Sequence, residues 1–223
     1  MDDPGLDRGR HLEALQALER INWVSFGGLR VWHEVQRLYA ERNETVRVLD
    51  VACGGGDVLR DVARRAAGSG ISVELRGCDI SSVALEEGRR TIGDAGLADS
   101  VDLFKLDALE GDLPEGYCLI TSSLFLHHLS RVDAVSLLNR MAAATTRSVL
   151  IQDLRRTRLG YLFAWVGLHT LTRSDVARTD GLRSVFGAFS MGEIRKICED
   201  AGLSGAKVDT GWPQRFTIRW RRP

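Results

Sequence analysis

The stretch Val46-Arg47-Val48-Leu49-Asp50-Val51-Ala52-Cys53-Gly54-Gly55-Gly56-Asp57 decides the fold. Its first half is a short β-branched run, the composition of a strand buried in a parallel sheet, and it stops in a glycine cluster. Val58, Leu59, Val62 and Ala63 then recur at helical spacing. A strand that ends in glycines and opens a helix brings backbone N–H groups close to a ligand at the carboxyl edge of a sheet. The spacing of the glycines sorts the ligands. A dinucleotide fold asks for Gly-x-Gly-x-x-Gly, and counting from Gly54 through Gly56 puts Leu59 where the third glycine should stand. No Gly-Lys-Ser/Thr follows to hold a triphosphate and its magnesium.

Outward from this turn, strands and helices alternate. Ile71 to Asp79 reads as strand 2, Val101 to Phe104 as strand 3, Leu119 to Ser122 as strand 4 and Ser148 to Asp153 as strand 5. Ser81 is placed to cap a helix carrying Val83, Leu85 and Ile92, while Ser130-Arg131-Val132-Asp133 and Ser190-Met191-Gly192-Glu193 read as capping boxes of two more. Upstream, Leu12, Leu15, Leu18 and Ile21 predict an amphipathic helix over 11–21, a break at Gly27-Gly28 and a second helix over about 29–41. Downstream, Ala206 to Trp212 and Phe216 to Trp220 predict two strands joined around Pro213-Gln214 and paired antiparallel. The pattern is α/β, a doubly wound sheet with an antiparallel edge. It predicts one domain over 1–223: a helical cover over 1–45, a core over 46–153, an insertion over 154–189 and a last helix with hairpin over 190–223. The insertion does not fit the alternation, and a segment of that length in a compact domain is commonly a lid.

Composition removes several classes of function. Thirty Lys plus Arg balance thirty Asp plus Glu, which lacks the positive field of a protein that grips nucleic-acid phosphates. Cys53, Cys78, Cys118 and Cys198 are far apart with no C-x-x-C pair, the usage of small buried hydrophobes in a reducing compartment rather than of disulfides or zinc. Met1-Asp2-Asp3-Pro4 is acidic where a signal peptide is basic, which predicts a cytoplasmic protein. The longest apolar stretch, Tyr161 to Leu171, is about half of the ~20 residues a spanning helix needs, enough to touch lipid peripherally but not to cross it.

Asp50-x-Ala52-x-Gly54-x-Gly56 resembles the first motif of the class I S-adenosylmethionine-dependent methyltransferases, acidic-x-Gly-x-Gly-x-Gly, with Ala52 in place of the first glycine. The resemblance runs along residues 46–153, and the terminal hairpin falls where that fold places its strands 6 and 7. It implies strand order 3-2-1-4-5-7-6 with strand 7 antiparallel, helices on both faces, S-adenosylmethionine as cofactor and S-adenosylhomocysteine as product. Asp50, Ala52, Gly54 and Gly56 would then line the cofactor. Asp79 ends strand 2 about twenty residues after the glycines, where a carboxylate can accept both hydroxyls of a ribose. By resemblance, Ile80 packs on adenine, Asp107 with the backbone of Ala108 reads the adenine edge, and Ser122 and Ser123 lie beneath the methionine part. Arg30 has two readings: a guanidinium fork for the methionine carboxylate, or a solvated surface arginine.

Thr121-Ser122-Ser123-Leu124-Phe125-Leu126-His127-His128-Leu129 is similar to the apolar-His-His-Leu stretch of methyltransferases in ubiquinone and menaquinone biosynthesis and their small-molecule relatives. It implies a small acceptor, aromatic or lipophilic, methylated at oxygen or carbon. Tyr161, Phe163, Trp165, His169, Phe186 and Phe189 concentrate aromatic rings in the insertion against a chain average of 7%, as a pocket lining or as a cap packed on the sheet. Tyr161, Trp165, Phe186 and Phe189 are the substrate-binding candidates. An activated carbon reacts with little assistance, whereas a phenol of pKa near ~10 benefits from a base. His128, His169 and Asp153 are the candidates, with a structural role the commoner one for a histidine beside an apolar strand end. No metal is expected, because the paired histidines have no carboxylate or cysteine at ligand spacing. An NAD-type oxidoreductase and a non-enzymatic protein that binds S-adenosylmethionine or another metabolite are the alternatives.

Overall fold

The computed structural model describes residues 27–157, 159–160, 184–212 and 214–223. The helix expected over 11–21 and the candidates Tyr161, Phe163, Trp165 and His169 lie outside these residues. In chain order the described elements are α1 (Gly27–Arg42), β1 (Val46–Val51), α2 (Asp57–Ala67), β2 (Val73–Asp79), α3 (Ser82–Asp94), β3 (Val101–Lys105), β4 (Tyr117–Ser123), a 3₁₀ turn (Leu126–His128), α4 (Arg131–Ala144), β5 (Thr145–Leu154), α5 (Met191–Asp200), β6 (Lys207–Gly211) and β7 (Arg215–Arg221). The seven strands form one sheet of order β3-β2-β1-β4-β5-β7-β6. β7 runs antiparallel to both neighbours, and the other pairings are parallel.

Side-chain alternation along the strands builds a core on each face. Val48, Leu119 and Leu150, which are register partners or near-partners across β1, β4 and β5, join Val31, Val35 and Leu38 of α1 and Leu59 and Val62 of α2. Leu49, Ile120 and Val149 point the other way, onto Leu137, Leu138 and Met141 of α4 and Ile194 and Ile197 of α5. Each such leucine, fully withdrawn from water, is worth roughly 1.5–3 kcal/mol, so the two helical layers clamp the sheet and fix the ends of its strands. Ser81 caps α3 by accepting from the Ala84 N–H at 3.2 Å, and Ser190 and Glu193 make the full reciprocal capping box of α5.

Strands 2 and 4 start within two residues of the expectation, and two other boundaries differ for a structural reason. Gly27 and Gly28 are no break: they form the first turn of α1, because a Cβ on Gly28 would stand 2.3 Å from Asp61 Oδ2 and glycine lets α1 approach α2. β5 begins at Thr145 rather than Ser148, since α4 passes into it without a loop and the Thr145 hydroxyl donates to the Tyr117 carbonyl at 3.1 Å.

Candidate cofactor and acceptor site

β1, β2, β4 and β5 end together at the carboxyl edge of the sheet, and the glycine turn follows β1 there. Ala52, Gly54 and Gly56 all take positive φ, at 56°, 54° and 70°. Ala52 therefore stands in the left-handed region where the family pattern has glycine. The turn is tied to β2 by side chain and backbone alike. The Gly54 N–H donates to Asp79 Oδ2 at 2.8 Å, the Ser81 N–H donates to Asp79 Oδ1 at 2.8 Å, and the Cys53 N–H donates to the Cys78 carbonyl at 3.0 Å. Asp79 is thus oriented at the lip of the turn before any ligand arrives.

A Cβ built on Gly54 would meet no atom within 4 Å, so open space faces the chain at that point. Gly56 is different: its Cβ would press on Leu103 and Ile92 at 3.3 and 3.4 Å, so its role is packing beneath the turn. Beside Asp79, Ile80 is 61% exposed, an apolar side chain held out at the rim. Asp107 Oδ1 accepts from the Leu109 N–H at 2.8 Å, and the buried Ala108 gives its carbonyl to Arg140 Nη1 at 2.8 Å. Asp50 is fully enclosed with Oδ1 unpartnered, and burial, reinforced by the charges of Asp57 and Asp79, pushes its carboxyl well above the usual carboxylate range. The Ser122 and Ser123 hydroxyls are likewise buried without partners. Open space at Gly54, a presented carboxylate at Asp79, an apolar rim at Ile80 and orphaned polar atoms at the ends of β1 and β4 fit the ribose, adenine and amino-acid parts of S-adenosylmethionine.

At the ends of β4 and β5 the structure assembles a pair that the sequence does not single out. Leu124 turns the chain with φ of 57°, and the 3₁₀ turn aims His127, not His128, at β5. His127 Nδ1 lies 2.6 Å from Asp153 Oδ1, and the His127 backbone N–H donates to Oδ2 at 3.2 Å. Burial alone raises the Asp153 carboxyl, but the His127 ring and the backbone N–H groups of Leu154 and His127 outweigh it and hold the group below its ordinary value. Asp153, considered above as a base, is enclosed and committed to this pair. His128 is exposed, its ring centroid 4.1 Å from that of His127.

Phe189 is 9% exposed and belongs to the core against α4 and α5, whereas Phe186 is 66% exposed. Arg30 is no solvated surface group: Nη2 donates to the Trp212 carbonyl at 3.1 Å, and Nη1 is buried without a partner. Arg215 escaped the sequence reading because it sits in a run with Arg219, Arg221 and Arg222, yet it is 1% exposed and burial lowers it to about 10. Among the described residues no three His, Cys, Asp or Glu side chains are grouped to hold a metal ion, and no helix is long and apolar enough to cross a membrane.

Residues 48–147 match the family model described as a methyltransferase domain. Over that segment the chain is similar to the class I S-adenosylmethionine-dependent methyltransferases. It is 27% identical over 157 residues to a ubiquinone biosynthesis O-methyltransferase of Azoarcus sp. (strain BH72), covering 70% of this chain and 64% of that one. It is 25% identical to the same-named protein of Nitrosospira multiformis, over 93% of this chain and 88% of the relative. Among solved structures, an O-methyltransferase from neocarzinostatin biosynthesis, in complex with S-adenosylhomocysteine and 1,4-dihydroxy-2-naphthoic acid, shares the fold with a TM-score of 0.66 at 17% identity. That match covers 96% of this chain and 58% of the neighbour. The magnesium protoporphyrin IX methyltransferase of Synechocystis, solved with S-adenosylhomocysteine, has a TM-score of 0.58 at 17% identity, over 88% and 86% of the two chains. The family match displaces the oxidoreductase alternative, and Leu59 is a core residue of α2 itself.

Proposed function

We propose that this methyltransferase methylates an oxygen of a small aromatic or lipophilic acceptor. The observation that carries the oxygen reading is the buried His127–Asp153 pair at the ends of β4 and β5, next to the edge that receives the cofactor. When bound, S-adenosylmethionine supplies an electrophilic methyl group on its sulfonium. The chain must then align an acceptor in line with that group, exclude water and take a proton. With Asp153 ionised, Nδ1 of His127 carries its proton toward the carboxylate, so Nε2 is the basic nitrogen. Such a tautomer serves a hydroxyl acceptor and is superfluous for an activated carbon. The names of the curated relatives, which are O-methyltransferases, point the same way.

Asp79, Ile80, Asp107 and Ala108 would hold the adenosine, and Asp50, Ala52, Gly54, Ser122 and Ser123 would line the path of its amino-acid part. Phe186, exposed, would be offered to the acceptor, while Phe189 is held in the core. The experiment is a mass-spectrometric search of cell extract for a species that gains ~14 Da, the net addition of CH₂, with S-adenosylmethionine and this protein. An O-methylated product supports the reading; a C-methylated one, or turnover of no acceptor, contradicts it. In a parallel arm, Phe186→Ala should raise KM for the acceptor and leave S-adenosylhomocysteine affinity unchanged.

A further inference from the structure

Arg215 opens β7 at the carboxyl edge of the sheet, paired with Leu154 of β5 and Gly211 of β6. It is 1% exposed, and Nε, Nη1 and Nη2 all lack a hydrogen-bond partner. A guanidinium withdrawn from water is costly unless an anion and hydrogen bonds replace its hydration, and buried arginines are accordingly found paired. Asp153, one position inward on the neighbouring strand, spends its oxygens on His127 and Leu154. No described carboxylate forms an ion pair with Arg215. A second guanidinium stands nearby with an unused nitrogen: Arg30, in the first turn of α1, is held by the Trp212 carbonyl in the β6–β7 connection through Nη2 and leaves Nη1 buried and unpartnered. The β6 backbone is shaped to admit it, since a Cβ on Gly211 would stand 2.4 Å from Arg30 Nη2. Two cations gathered with four unmet nitrogens make a site for an anion.

Register places this site against the cofactor edge. Gln152 pairs with Ser123 and with Thr217, two residues along β7 from Arg215, so Ser123, Gln152 and Arg215 share the face of the sheet covered by α1. Asp50, through its partner Thr121, lies on the same face. Gln152 Nε2 donates to the Gly27 carbonyl at 3.0 Å, leaving its Oε1, like Asp50 Oδ1, a buried acceptor without a donor. Converging unmet donors on two flat guanidiniums suit a planar monoanion. The fork of a guanidinium matches a carboxylate in two parallel hydrogen bonds.

We propose that the buried Arg215 and the half-buried Arg30 form a two-guanidinium receptor for a ligand carboxylate. The proposal rests on the methyltransferase reading, and two ligands of that reaction bring such a group: the amino-acid end of the cofactor and an acidic aromatic acceptor. Arg215 is a binding residue in either case, and its three nitrogens find hydrogen-bond partners only in the loaded protein.

Calorimetry on the wild-type protein separates the sources without any substitution. The probes are S-adenosylhomocysteine against its decarboxylated analogue, and, at saturating S-adenosylhomocysteine, 2-hydroxybenzoate against its methyl ester. The expected result is that in one of these pairs the carboxylate-bearing member binds roughly ten- to a hundredfold tighter, the loss expected when a charged hydrogen-bonding partner is removed. Arg215→Gln should erase that preference, leave the decarboxylated or esterified member binding as before, and Arg215→Lys should restore part of it. Preference in the first pair assigns the receptor to the cofactor, and in the second to the acceptor. Equal affinity within both pairs, or an unchanged preference in a folded Arg215→Gln protein, would overturn the receptor. Failure to bind S-adenosylhomocysteine in any form would instead overturn the methyltransferase reading on which it rests.

Discussion

Asp50 is a carboxyl group sealed from water with one oxygen idle, and its folded pKa is raised well above the ordinary value by burial and by Asp57 and Asp79. The sign of the linkage follows from proton binding. Above the unfolded pKa and below the raised folded one, the native state holds a proton that the unfolded chain has released, so stability falls as pH rises through that window. Asp50→Asn removes this slope. Thermal unfolding of the ligand-free protein should show the variant gaining on wild type as pH rises from about 4 toward neutrality, and parallel curves would contradict the account. If His127 takes the acceptor proton as proposed, His127→Ala should lower kcat/KM by ~10²- to 10⁴-fold, while His128→Ala should retain most activity. The reverse ranking would return the catalytic role to His128. That choice was not legible in the sequence, where the two histidines are adjacent and equivalent. A 3₁₀ turn rotates successive side chains by about 120°, so only one of them reaches β5, and the turn's phase is set by Leu124 and by the pairing of β4 with β5.

At the scale of elements, local chemistry was legible wherever it is short-range. Ser81, Ser130 and Ser190 cap the helices that follow them, accepting from the N–H groups of Ala84, Asp133 and Glu193. The strand cores around Val48, Leu75, Leu103, Ile120 and Ile151 carry the apolar runs that mark buried strands. What was illegible depends on close approach between elements. Gly27-Gly28 reads as a break until Asp61 of α2 is seen against it, and Gly88 of α3 lies directly against the glycine turn. A Cβ on Gly88 would meet the Gly55 carbonyl oxygen and Leu103 at 2.7 Å. Gly88→Ala should therefore destabilise by about 1–3 kcal/mol through overpacking despite the better helix propensity of alanine, and should weaken S-adenosylhomocysteine binding by shifting the turn. Denaturant unfolding checks the first expectation; a variant as stable as wild type, with unaltered binding, would show that the turn does not bear on α3.

For the whole molecule, the sheet order β3-β2-β1-β4-β5-β7-β6 gathers the ends of β1, β2, β4 and β5, and the start of β7, on one edge. That gathering is why residues as distant in sequence as Arg30, Asp50, Asp79, His127, Asp153 and Arg215 belong to one region. The alternation of strands and helices made the doubly wound sheet legible, and the motif at Asp50 to Gly56 made its ligand legible. Arg215 was not, because nothing local distinguishes it from the exposed arginines that follow it; its burial arises from three segments meeting, α1, β5 and the β6–β7 connection. The aromatic pattern of residues 154–189 is legible as composition, and Tyr161, Phe163 and Trp165 lie outside the described residues.

On this reading the carboxyl edge binds the adenosine of S-adenosylmethionine through a carboxylate already fixed by the glycine turn. Titration calorimetry of S-adenosylhomocysteine into wild type and Asp79→Ala tests it most directly. Asp79 would receive the ribose hydroxyls while it anchors the Gly54 and Ser81 N–H groups at 2.8 Å, so its loss removes a ligand contact and loosens the turn together. Wild type should show one site per chain, and a variant that remains folded should lose about 1–3 kcal/mol or more, roughly tenfold to beyond a hundredfold in Kd. Unchanged affinity in folded Asp79→Ala, or no binding by wild type, would contradict it.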